Sequence, residues 1–172
     1  MKKICIIGGS GTGKTTLSNN IGKLLNLPVY HIDGINYHPN WVERDRKERD
    51  KMILDIVKKD KWVIDGTYHT TLSERLKAAD LVIYLDYPTF TQIRGVLGRY
   101  LKNKDKEKEE IPGCNERMSF KFFIWVLNYK KNKKGEILEK LSEIDKNKVL
   151  VFKNRNQMHK WYKRYFGKKY EY

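Results

Sequence analysis

The chain has 172 residues, 33% of them charged and 40% hydrophobic, with a formal net charge of +15. This length suits one domain, residues 1–172, with a core that needs no covalent staples. Two cysteines, Cys5 and Cys114, exclude a disulfide framework, and no run approaches the roughly 18 apolar residues of a membrane span. The expectation is a cytoplasmic protein in a reducing compartment, with no membrane role and with phosphate-bearing partners that answer its basic charge.

The apolar run Ile4-Cys5-Ile6-Ile7 reads as a first strand. It leads into Gly8-Gly9-Ser10-Gly11-Thr12-Gly13-Lys14-Thr15, which fits G-x-x-x-x-G-K-[ST] in a strand-loop-helix context. A polyphosphate needs several backbone N–H groups converging on it, and glycine permits the tight wrap and close approach. Gly9, Ser10, Gly11, Thr12, Gly13, Lys14, Thr15 and Thr16 are therefore the expected nucleotide contacts. Lys14 would bridge the outer phosphates, and Thr15 would place its hydroxyl on Mg²⁺. Leu17, Ile21, Leu24 and Leu25 recur at helical spacing until Asn26 and Pro28.

Residues 28–32 predict a second strand ending at Asp33-Gly34, where a carboxylate faces the ligand crevice of an open α/β sheet. Asp33 is a candidate for acceptor or Mg²⁺ contact; a turn-forming Asp-Gly pair is the plain alternative. Residues 41–57 predict a helix whose first half is charged, with Arg44, Arg46 and Arg49 as anion-clamp candidates or members of solvated i,i+4 pairs. Lys61 to Gly66 predicts a third strand ending in Asp65, the better Mg²⁺ candidate. Asp80 to Asp86 predicts a central fourth strand, with Asp86 either a site carboxylate or a structural cap.

A helix bearing Arg94 and Arg99 follows, and then the mixed-charge stretch Lys102 to Glu110. That stretch belongs in solvent and reads either as a mobile lid over about 99–118, with Arg94, Arg99 and Arg117 placed to neutralise a transferring phosphoryl group, or as a disordered surface loop. Residues 119–131 predict a helix apolar nearly all round, buried or covering a partner surface. A separate helix carries Ile137 to Ile144, a fifth strand spans 148–152, and a last helix starts near Arg155. From Lys146 to Tyr172 nine Lys/Arg stand against Glu171 alone, interleaved with Trp161, Tyr162, Tyr165, Tyr170 and Tyr172. His31, His38, His69 and His159 show no metal-ligand spacing, and His31, alternating with Ile32, reads as facing the sheet's other side.

Five strands alternating with helices imply a three-layer α/β/α fold with a parallel sheet and its first strand central. The chain resembles the P-loop kinases of the adenylate kinase type. Within that group it looks most like the small bacterial DNA topology modulation proteins, described as adenylate kinase-related. The matching features are Gly8 to Thr15, His31-Ile32-Asp33 followed by Trp41, Trp62 to Tyr68, Ala79-Asp80 to Tyr87-Pro88, Pro112-Gly113-Cys114 and the aromatic helix after them. The resemblance implies strand order 2-3-1-4-5 with a helical lid, ATP and Mg²⁺, and transfer of the γ-phosphate to a small acceptor. Two departures stand out. The arginine that grips a monophosphate acceptor is replaced at His69, and four residues past Arg94 stands Gly98, with Arg99 beside it.

Two functions follow as expectations. One is an ATP-dependent kinase acting on a nucleoside, nucleotide or other small metabolite, with catalytic Lys14, Asp33, Arg94, Arg99 and Arg117 and with Thr15 and Asp65 at the metal. The other is a nucleotide-regulated, DNA-associated protein that contacts nucleic acid through its basic C-terminal region.

Overall fold

The computed structural model describes residues 1–168 and Tyr170. Its central sheet contains β1 (Lys3–Gly8), β2 (Val29–His31), β3 (Trp62–Asp65), β4 (Leu81–Leu85) and β5 (Val149–Phe152). All neighbours pair in parallel, and the strands lie in the order 2-3-1-4-5. The helices are α1 (Lys14–Leu25), α2 (Ile32–Asn36), α3 (Arg46–Val57), α4 (Leu72–Ala78), α5 (Thr89–Asn103), α6 (Phe120–Ser142) and α7 (Arg155–Phe166).

Alternation along β1 explains the three layers. Cys5 and Ile7 join Ile53, Ile56, Leu72, Leu76, Tyr129, Ile137 and Leu141 on one face, bringing α3, α4 and α6 against the sheet. Ile4 and Ile6 join Leu17, Ile21, Met158 and Tyr162 on the other, bringing in α1 and α7. A strand buried on both faces in this way belongs in the middle of a parallel sheet. The phosphate loop consequently leaves the sheet at its centre.

Three expected boundaries change. Asp33 does not end a strand: β2 stops at His31 and Asp33 lies in the first turn of α2. The helix expected from Trp41 starts at Arg46, capped by Asp45, whose carboxylate accepts the Lys47 and Glu48 N–H groups. Ahead of it, Tyr37–His38 pairs antiparallel with Val42–Glu43. The two helices expected on either side of Gly135 are one, α6. Val126, Tyr129, Ile137 and Leu141 keep a single buried stripe, and that packing outweighs the roughly 1 kcal/mol cost of an interior glycine.

Arg75 is the largest surprise in the core. It is fully buried, and its guanidinium donates to the carbonyls of Gly66 (2.7 Å), Tyr68 (2.6 Å) and Thr71 (3.2 Å). It thereby holds the loop that follows β3. Burial lowers its pKa from the usual guanidinium value, with the neighbouring Cys5 thiol opposing. Arg75→Leu should strand these carbonyls and destabilise the fold by about 3 kcal/mol or more. Urea unfolding measures it, and a change within about 0.5 kcal/mol would contradict this account.

Candidate active site

The phosphate loop is built from a helix start that the protein itself leaves without negative charge. α1 begins at Lys14 with Gly13 as N-cap (φ 91°), so no side chain caps it, and its first turn holds no acidic residue. A helix start usually has Ser, Thr, Asp or Asn accepting from its free N–H groups. Here no side chain takes those groups, and with the positive end of the dipole they form an arrangement suited to an anion. Thr12 Oγ1 (2.8 Å) and Lys14 Nζ (2.9 Å) both donate to the Gly9 carbonyl and curl the loop. Burial lowers the Lys14 pKa, Asp33 and Asp65 oppose that shift, and Arg99 adds to it.

α5 supports the loop from outside. A Cβ on Gly95 would overlap the Gly11 carbonyl, so glycine is required for this approach. The Gln92 side chain occupies the space beside Gly9 and donates to the Tyr87 carbonyl at 3.0 Å. Arg155, at the start of α7, donates to the Gly11 carbonyl at 3.2 Å. Thr67 clasps Gly8, its hydroxyl accepting from the Gly8 N–H and donating to the Gly8 carbonyl, both at 2.9 Å.

Asp65 is buried at the end of β3, beside the loop. Its Oδ2 accepts from the Ser18 hydroxyl of α1 and lies 2.7 Å from His31 Nδ1. His31 therefore turns toward Asp65. Burial acts against its charge, yet the hydrogen bond and charge of Asp65 outweigh that and raise its pKa. Asp33 is exposed on α2 and accepts the Tyr68 hydroxyl at 3.0 Å. Burial and the nearby Asp33 push the Tyr68 pKa up, keeping that hydroxyl a donor.

Of the three arginines considered for an anion clamp, Arg49 is the one that reaches Tyr68, the partner of Asp33. It stacks over the Tyr68 ring at 5.0 Å and contacts Asp50, Asn36 and Thr70. Arg44 pairs with Glu48, and Arg46 extends into solvent.

The segment expected as a solvated, helical lid is an antiparallel hairpin, Glu107–Lys108 with Ile111–Asn115. Its charges are partly buried. Lys108 Nζ stands 3.2 Å from Glu110 and 3.1 Å from Glu116, and Arg99 Nε stands 3.0 Å from the same Glu116 oxygen. Lys108 and Glu116 are only 7% and 3% exposed at their side chains, which a solvated loop would not produce. The hairpin lands on the segment after β2. Its Glu110 carbonyl sits where Gly34 has no side chain, and Cys114 Sγ accepts the Trp41 N–H (3.2 Å) while donating to the His38 carbonyl (3.3 Å).

The structure brings Asp33, Asp65 and Arg99 within electrostatic reach of Lys14. Arg117 goes elsewhere, its guanidinium 4.6 Å above the Trp41 ring, and Arg94 is exposed on α5. Asp86 is a structural anchor. Lys130 and Lys134 of α6 and Lys153 after β5 lie within 3.1 Å of its carboxylate. His69 offers no substitute for the expected arginine, since it turns to Glu136 of α6 at 3.0 Å and burial lowers its pKa. Sequence reading missed Lys108, Glu116, Gln92 and Gly95. Only Pro112-Gly113-Cys114 hinted that the lid is ordered.

No protein-family model matches the sequence, and no curated protein does. Among solved structures the chain is similar to the shikimate kinase from Acinetobacter baumannii in complex with shikimate. The two share 16% identity over 97% of this chain and 94% of that one, at a TM-score of 0.60. It is also similar to the shikimate kinase from Bacteroides thetaiotaomicron, with 17% identity over 95% and 96% of the two chains and a TM-score of 0.53. At these identities the likeness establishes the fold alone, a three-layer α/β/α arrangement around a five-stranded parallel sheet.

The His31–Asp65 pair makes stability depend on pH. A raised histidine pKa adds stability below its unfolded value of about 6.5, and that contribution is lost as pH rises through the folded value. The melting-temperature gap between wild type and His31→Gln should be wider near about pH 6 than near about pH 9. A gap independent of pH would contradict the charged pair.

Proposed function

We propose that the chain is a Mg-ATP-dependent kinase that phosphorylates a small hydroxyl-bearing metabolite. The observation that carries this reading is the uncapped start of α1, wrapped by Gly8 to Thr15, with Lys14 curled onto the Gly9 carbonyl. Backbone N–H groups from Gly9 to Thr16 bind the triphosphate. Lys14 leaves the Gly9 carbonyl for the outer phosphates. The donor set suits a magnesium ion, since Thr15 offers a hydroxyl and Asp65 keeps Oδ1 beside the contacts that fall on Oδ2. When bound, Mg²⁺ would neutralise phosphate oxygens there.

Asp33 orients the acceptor hydroxyl and takes its proton, with the Tyr68 hydroxyl fixing the carboxylate. Arg99 offsets charge on the transferring group. Lys108 joins it through Glu116, the carboxylate that contacts both cations. The acceptor lies over α2 between Asp33, Tyr68 and Arg49. The likeness to the DNA topology modulation proteins rests on the sequence motifs and fits the same chemistry in a cytoplasmic setting.

The nucleic-acid reading is the weaker one. Its basic tail remains, but Tyr162 is buried and Trp161 packs on Phe152 at 5.4 Å, which leaves Tyr165 of the α7 rings exposed. Lys169 and Tyr172 lie outside the described residues.

A screen of nucleosides, nucleoside monophosphates, sugars and polyol acids, read by ADP formation, tests the proposal. Acceptor-dependent ADP is expected, and Lys14→Ala should lower it at least about a hundredfold with the fold intact. Lys108→Met should lower kcat about tenfold or more while moving the acceptor KM little. Silence across the panel, or turnover that survives Lys14→Ala, would overturn the kinase reading.

A further inference from the structure

The N-terminal half of α6 carries an outward apolar stripe that the kinase chemistry does not use. Val126 and Tyr129 turn inward, whereas Phe120 is 80% exposed, Trp125 46%, Ile124 40% and Leu127 38%. Phe120, Ile124, Leu127 and Lys131 follow one another at helical spacing, so they form one line along the helix, with Lys121 and Trp125 flanking it. Both lysines are exposed. Isolated exposed apolar residues are ordinary, but a contiguous aromatic and aliphatic line marks an interaction surface.

Charge narrows the partner. From Arg117 to Gly135 the chain holds six Lys/Arg and no Asp or Glu. Lys130 and Lys134 are engaged by Asp86, Lys133 by Glu136, and Arg117 lies over the Trp41 ring, which leaves Lys121 and Lys131 beside the stripe. A second copy of this chain would bring like charge against like charge in a two-fold contact. A nucleic acid would find Ile124 and Leu127, which cannot stack on bases, in the middle of the contact. An anionic lipid surface meets both demands. Aromatic and aliphatic side chains enter the headgroup boundary, while lysines reach lipid phosphates and the +15 net charge draws the protein in.

We propose that the outer face of α6 docks the protein reversibly on anionic phospholipid bilayers. α6 lies along the surface, with Phe120, Ile124, Trp125 and Leu127 in the headgroup layer. The core-facing side of α6 remains packed on the sheet, so docking requires no unfolding. This role is independent of phosphotransfer.

The test is co-sedimentation of the full chain with phosphatidylcholine vesicles, with and without phosphatidylglycerol. Wild type should sediment with the anionic vesicles and stay in solution with the neutral ones. The combined variant Phe120→Ser, Ile124→Ser, Leu127→Ser should lose about tenfold or more in partitioning. Lys121→Glu with Lys131→Glu should also weaken it, which keeps the test decisive if the first variant folds poorly by circular dichroism. The proposal is overturned if the apolar variant partitions like wild type, since charge alone would then explain binding. It is equally overturned if wild type ignores both vesicle types, or if the stripe instead supports a concentration-dependent dimer or the binding of single-stranded DNA.

Discussion

The structure depends on one constraint: α1 must start at the centre of the sheet with its N–H groups free of any protein anion. Gly13 as N-cap removes the usual capping side chain, and the first turn contains no acid. Such an end is stable only if the loop before it is held from outside. Gly95, Gln92 and Arg155 do this on one side, and Thr67 on the other. The central position of β1 follows from the same need, because its two neighbours, β3 and β4, supply the supports at their ends.

Charge is managed differently in the two halves of the crevice. Beneath it, Asp65 is shared by α1 through Ser18 and by β2 through His31, which fixes the carboxylate against the loop. Above it, Glu116 gathers Lys108 and Arg99. A buried carboxylate between two cations holds them in place while anchoring the hairpin. The contact of Cys114 and Arg117 with the Trp41 segment ties that hairpin to the chain that follows β2 as well. Trp41 is held there with φ 62°, an uncommon backbone state for a bulky residue that the lid contacts keep in place.

The sheet and the phosphate loop were legible in the sequence, because strand periodicity, glycine spacing and the Lys-Thr pair are local signals. The five strands fell within a residue or two of their expected bounds for the same reason. What was not legible came from long-range packing. Nothing near Arg117 in sequence announces that Trp41 lies beneath it. The hydrophilic run around Lys108 reads as solvated until Glu116 and Arg99 close on it. Gly135 looks like a helix break until Ile137 and Leu141 extend the stripe begun by Val126 and Tyr129. The Asp86 carboxylate was ambiguous because its three lysines come from two distant elements.

Calorimetric titration of Mg-ATP, with Mg-AMP as the control, tests the loop's role most directly. The account predicts saturable one-site binding of Mg-ATP, at least about tenfold tighter than Mg-AMP, because the loop recognises the outer phosphates. The melting temperature should rise as the site fills. Equal affinity for the two nucleotides, or no heat and no stabilisation by Mg-ATP, would contradict it.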